Sequence, residues 1–176
     1  VSVGSSDNVI SPEFKLPCSN VYFLEPEKNP DGTFNTQSLL ALYARVEKLI
    51  EEKKVISAFT PSYGGIAEGV MKACFGNKLG FAFDHMFQVD RIYDYNYGSF
   101  VLEATCELED AVLLGETTMD YTLKAGIEKI DLEEIQKIYE NKLEPVFACN
   151  IKSSDEYVKA IRFTADKRKA PKIGVA

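Results

Sequence analysis

Apolar residues in this chain recur at two spacings, and the spacings predict its elements. "NVYFL" (20–24) is a run of strand-forming residues that stops at Pro26. After the turn-rich loop "EKNPDGTFN", residues 36–54 predict a helix, with Leu39, Leu40, Tyr43, Val46, Leu49 and Ile50 on one face. Its outer face carries Arg45, Glu47, Lys48, Glu51 and Glu52. "VISAF" (55–59) predicts a buried strand. A second helix is expected over 65–75, with Ile66, Val70, Ala73 and Cys74 inward and "GN" (76–77) as its stop.

"LGFAF" alternates at strand period, and residues 84–97 are aromatic and irregular. "GSFVLEATCELE" and "AVLLGETT" each hold a strand. The short polar link between them predicts a hairpin. "DYTLKAGIEKI" reads as a ribbon turning at Ala125–Gly126. Asp131 then caps a third helix, with Glu134 as capping-box partner and Leu132, Ile135, Ile138 and Tyr139 as the buried face. Strand–helix–strand units mixed with hairpins predict an α+β fold, a mixed sheet covered by helices. Residues 1–149 form that domain, and "KIGVA" after a charged linker over 150–176 reads as the first strand of a further domain.

Composition narrows the function classes. The chain has 176 residues, 45% apolar and 27% charged, an ordinary globular balance. No run approaches the ~20 apolar residues of a membrane span. A net charge of −7 repels phosphate backbones, so nucleic acid is a poor partner. The basic run "KRKAPK" (167–172) reads as solvated linker. Cys18, Cys74, Cys106 and Cys149 are widely spaced, without a zinc pattern; Cys74 and Cys106 read as core residues. The expectation is a reducing, cytoplasmic location. His85 is the single histidine, which excludes a two-His metal motif and reads as a loop residue.

The candidate chemistry lies in "TPSYGG" (60–65), between a buried strand and a helix. Free N–H groups and the helix dipole at such a place suit an anion. Thr60, Ser62, Gly64 and Gly65 could cradle a phosphate. Alternatively, the glycines serve only a tight turn. No dinucleotide or P-loop glycine motif is present. Asp84, Asp90, Asp94 and Glu103 are dispersed and read as solvated surface rather than as a cation site. Phe83, Phe87, Tyr93, Tyr95 and Tyr97 could form a stacking platform, pack over a sheet end, or line an interface.

"VISAFTPSYGGIAEGVMKACFGNKLGFAFD", "YNYGSFVLEAT" and "AVLLGETT" together resemble the aminoimidazole-ribonucleotide-synthetase-like C-terminal domain. The likeness covers most of residues 1–124 and is strongest over 55–83 and 97–118. "APKIGVA" is similar to the lead-in to a class I glutaminase domain, which points within that superfamily to the second such domain of the large phosphoribosylformylglycinamidine (FGAM) synthase family. The chain then reads as a piece of a longer protein.

The resemblance implies a parent ligase of purine biosynthesis. It would use ATP to activate the amide oxygen of formylglycinamide ribonucleotide, and ammonia from glutamine would then displace phosphate. The implied partners are a preceding synthetase-like N-terminal domain and a following glutaminase domain. ATP or ADP and magnesium belong to the parent. Thr60 stands where such domains often carry a magnesium-binding Asp. The resemblance places half of the site on the neighbouring domain, so no ligand is expected to bind this piece tightly, and no catalytic residue is expected in it. Its expected role is structural, shaping an accessory nucleotide site or a domain interface. The alternatives are a selenophosphate-synthetase or hydrogenase-maturation type of subunit, or a non-enzymatic α+β binding module.

Overall fold

A strand whose residues are apolar on both sides must lie inside a sheet covered on both faces. β1 (Asn20–Leu24) is such a strand. Val21 and Phe23 join one buried cluster, while Tyr22 and Leu24 join another. The computed structural model describes residues 6–148 and contains one seven-stranded sheet, in the order β2-β4-β1-β5-β3-β6-β7. The other strands are β2 (Val55–Phe59), β3 (Gly80–Phe83), β4 (Phe100–Ala104), β5 (Val112–Thr118), β6 (Thr122–Ala125) and β7 (Glu128–Asp131). Neighbours are antiparallel except β3 and β6, so the sheet is mixed. The α+β class predicted from the pattern is the one observed.

α1 (Thr36–Glu51) packs on the face of Tyr22 and Leu24, and α2 (Gly65–Asn77) on the face of Val21 and Phe23. α1 starts where the Asn35 side chain accepts the Gln37 and Ser38 N–H groups, an N-cap that closes the first turn. Its buried residues are Leu42 and Val46, whereas Leu40 and Tyr43 are exposed. The stripe is therefore rotated from the one expected, toward Leu42. α2 continues through Gly76 and Asn77 and ends at Lys78, which takes the left-handed conformation (φ +56°) expected of a glycine. In α3 (Leu132–Asn141) the Asp131 carboxylate accepts the Glu133 N–H. Leu132 is fully buried there, but Ile138 and Tyr139 are exposed, so its apolar face is narrower than predicted.

The hairpin expected between β4 and β5 does not form. β1 lies between them and pairs antiparallel with both. The residues after Ala104 instead cross from one end of β1 to the other, with Leu108 buried in the α1-side cluster and the Arg45 guanidinium donating to the Asp110 carbonyl at 3.1 Å. β1, needing cover on both faces, takes the central slot that a local hairpin would have closed. The β6–β7 ribbon forms as expected. Cys74 is buried, but Cys106 is exposed at the start of the crossover and is not a core residue.

Residues 11–17 form an irregular strap over the α2 face. Phe14 is buried there; its N–H donates to the Ala73 carbonyl at 3.0 Å, and Asn77 Nδ2 donates to its carbonyl at 2.7 Å. The strap is latched to the sheet by Glu103, which has no solvent exposure. Its two carboxylate oxygens accept the Lys15 and Leu16 N–H groups at 2.7 and 2.9 Å. The chain divides into two units, Val1–Asn141 and Lys142–Ala176. In the second, the Val146 and Phe147 N–H groups both donate to the Leu143 carbonyl. The linker and strand expected over 150–176 lie outside the described residues.

Burial pushes the Glu103 carboxyl above its ordinary value, while the Leu16 and Lys15 N–H groups pull it back. Folding therefore holds a proton that the unfolded chain has already released, and this group's contribution declines as pH rises through the raised value. Glu103→Gln offers one acceptor oxygen where two are used, and should cost about 1–3 kcal/mol in urea unfolding. The wild-type advantage over the variant should be largest in acid and shrink as pH rises.

Candidate functional site

The turn from β2 into α2 must reverse the chain within a few residues and start a helix without a side-chain N-cap. Gly64 holds the N-cap position. Ser62 accepts the Gly65 N–H on its carbonyl at 3.0 Å, which tightens the turn. The cap comes from inside the helix. Glu68, one turn on, folds back so that its Oε2 accepts the Gly64 N–H at 3.0 Å and the Ser62 hydroxyl at 3.1 Å. Its Oε1 accepts from Lys72 Nζ at 2.5 Å, and Lys72 in turn lies 5.5 Å from the centre of the Tyr139 ring.

Lys72 holds the Glu68 carboxyl below its ordinary value; the Gly64 N–H and Ser62 hydroxyl act in the same direction, against the cost of desolvation. The Lys72 ammonium is correspondingly held above its own ordinary value by Glu68. A negative charge thus already sits at the positive end of α2. Of the four residues predicted for this site, Ser62, Gly64 and Gly65 come together around the turn. Thr60 is exposed and, among the described residues, takes no part in this network.

The two glycines do different work. A Cβ on Gly64 would meet Glu68 Cβ at 2.5 Å and Oε2 at 2.6 Å, so Gly64 makes room for the inward carboxylate. Gly65 has φ +65°, and a Cβ there would meet the Ile92 carbonyl oxygen at 2.5 Å and that of Asp94 at 2.9 Å. It lets a 3-10 segment (Val89–Tyr93) lie directly against the helix start.

That contact gathers part of the aromatic segment at the turn. Tyr63, 78% exposed, lies 5.9 Å from Tyr95, whose ring stacks on Tyr97 at 6.0 Å and 3°. Phe87 is buried instead, and Phe83 packs 6.4 Å from it, so these two rings belong to the interior. An apolar cavity of about 220 Å³ opens behind the turn between Ala67, Phe83, Ile92 and Leu123. Small-molecule pockets usually run to roughly 300–1,000 Å³.

The carboxylates stay dispersed, but Glu103 is fully buried rather than solvated surface. Glu103 lies under the strap, Arg91 pairs with Glu25 at 3.0 Å and lies 3.8 Å from Asp94, and Asp84 accepts the Met86 N–H at 2.8 Å. Among the described residues no three His, Cys, Asp or Glu side chains group as a metal site. His85 is in a loop with its side chain 85% exposed. Sequence reasoning missed Glu68 and Tyr63. The i, i+4 spacing of Gly64, Glu68 and Lys72 was the available signal for the first.

No family model matches the chain, and no curated protein matches its sequence. Solved structures do match. Thermotoga maritima PurL complexed with AMPPCP aligns at a TM-score of 0.60 and 11% identity, over 73% of this chain and 27% of that one. PurL complexed with FGAR aligns at 0.58 and 9%, over 74% and 30%. PurLQS from the same organism aligns at 0.60 and 9%, over 73% and 27%. The chain has the fold of one part of PurL. At these identities the likeness is one of fold, and it spans less than a third of the PurL chains matched.

Gly65→Ala should destabilise the chain by about 2–4 kcal/mol, from left-handed strain plus the collision with two backbone carbonyls. Gly126→Ala, at φ +59° with open space around it, should cost only the strain, about 1–2 kcal/mol. Urea unfolding of both variants measures the difference.

Proposed function

We propose that this chain is a supporting domain of an ATP-dependent carbon–nitrogen ligase of the FGAM synthase type, the second synthetase-like C-terminal domain of the large form. The fold shared with PurL supports the superfamily. The arrangement of Glu68 carries the assignment to a supporting role rather than a catalytic one.

A nucleotide phosphate at the β2–α2 turn would need the Ser62 hydroxyl and the Gly64 N–H. Both are bonded to a carboxylate whose own charge is compensated by Lys72. A phosphate would have to displace that carboxylate and would be repelled by it until it did. Thr60 offers no carboxylate to a magnesium ion. The turn therefore does not fit a tightly held nucleotide and its magnesium in this chain alone. Thr60, Ser62, Gly64 and Gly65 are assigned to the wall of an accessory nucleotide site or domain interface, completed by other parts of the parent. On this reading ATP or ADP and magnesium belong to the parent, which works in the cytoplasm. A synthetase-like N-terminal domain precedes this one, and a glutaminase domain follows.

The exposed Tyr63, Tyr95 and Tyr97 beside the turn suit such a contact, because aromatic rings bury much area at little entropic cost. Calorimetry of the 176-residue chain with ADP and magnesium tests the reading. The expected result is weak binding or none. Sub-micromolar binding, or ATP turnover by this chain alone, would overturn it.

A further inference from the structure

Two cysteines that are distant in sequence lie just beyond the same end of the β1–β4 pair and line one notch. β1 and β4 pair without interruption from Leu24↔Phe100 to Asn20↔Ala104. Two residues beyond that last pair, on the two segments, lie Cys18 and Cys106. The ends still adjoin beyond the last pair, since Ser19 Oγ donates to the Ala104 carbonyl at 3.4 Å. Past that point the two chains part around a notch of about 310 Å³, and both cysteines line it. Both are exposed, and neither is bridged.

Each wall of the notch is held by a different strand. The Cys18 N–H donates to the Thr117 carbonyl on β5 at 2.9 Å, and Cys18 keeps a left-handed φ of +56°. On the other wall the Thr105 N–H donates to the Lys54 carbonyl, just before β2, at 2.9 Å. The last register-matched pair beside the notch is Asn20↔Ala104, and such pairs have Cα atoms about 4.5–5.5 Å apart. A disulfide spans about 4.4–6.8 Å. Lys54 and Cys106 also line one surface hollow together. Cys74 does not compete, because it is buried in the apolar core and burial pushes its thiol up.

We propose that Cys18 and Cys106 form an oxidation-sensitive pair that closes into an intrachain disulfide on meeting a low-molecular-weight disulfide such as oxidised glutathione. One protein thiolate attacks a sulfur of the small disulfide, and one small thiolate leaves. The second protein thiolate then attacks the protein sulfur of the mixed disulfide, and the second small thiolate leaves. Both departing thiolates are protonated by the two protons that the cysteines gave up. Two electrons pass from the protein pair to the small disulfide. In a reducing compartment such a bond is transient and serves a redox response. The inference stands apart from the ligase reading, because it uses neither the turn nor a parent enzyme.

The test is mass spectrometry of the folded 176-residue chain after incubation with oxidised glutathione, with free thiols alkylated before tryptic digestion. Cys18, Cys106 and Cys149 fall in separate peptides, residues 16–28, 92–124 and 143–152. The expected product is the 16–28/92–124 cross-link, with the intact mass lower by two hydrogens and Cys74 still reduced. Separate glutathione adducts on the first two peptides without the cross-link, a cross-link mainly to Cys149, or no reaction would each overturn the proposal.

Discussion

The backbone carbonyls of Ile92 and Asp94 stand where a Cβ of residue 65 would be, and only glycine lets α2 begin there. This close approach fixes the start of α2 against the segment between β3 and β4. α2 supplies Ile66, Val70, Ala73 and Cys74 to the core, so the larger buried cluster depends on where that helix begins. With the turn so tight, no residue before the helix supplies a side-chain cap, and Glu68 serves from within. The resulting carboxylate at the helix N-terminus turns an anion-binding geometry into an internal joint.

A second constraint acts across the sheet. β1 is buried on both faces and must be central, which separates β4 from β5 and sends the chain over the α1 face between them. The strap of residues 11–17 has no regular hydrogen-bond ladder, so its backbone donors need other acceptors. Glu103 provides two, and the Thr117 hydroxyl donates to the Leu16 carbonyl at 2.6 Å. A buried acidic side chain near the end of β4 is thus the means by which an irregular segment can lie on the core.

Most elements were legible because they are local. The apolar run "VISAF", the alternation of "LGFAF", the inward positions of α2 and the ribbon turning near Gly126 follow from local hydrophobicity, strand period, helical spacing and turn chemistry. The position of β1 between β4 and β5 was not legible, since pairing order is decided by which strand most needs cover. The rotated stripe of α1 has the same origin. Leu42 wins over Leu40 because of where the sheet lies, and the sequence of the helix alone permits both. Ser62, Gly64 and Gly65 were found from the strand–glycine–helix pattern. What occupies their donors was not, because Glu68 reads as an ordinary solvated helix position until the chain turns back on itself. Thr60 shares their loop but not their network.

The pH titration of the Gly64 amide, followed by nuclear magnetic resonance in the folded chain, tests the internal joint most directly. Its N–H donates to Glu68, so its chemical shift should follow that carboxyl, with a midpoint below the ordinary glutamate value of 4.5, and should lose this titration in Glu68→Gln. A Gly64 amide that does not titrate, or that titrates at the ordinary value, would contradict the account.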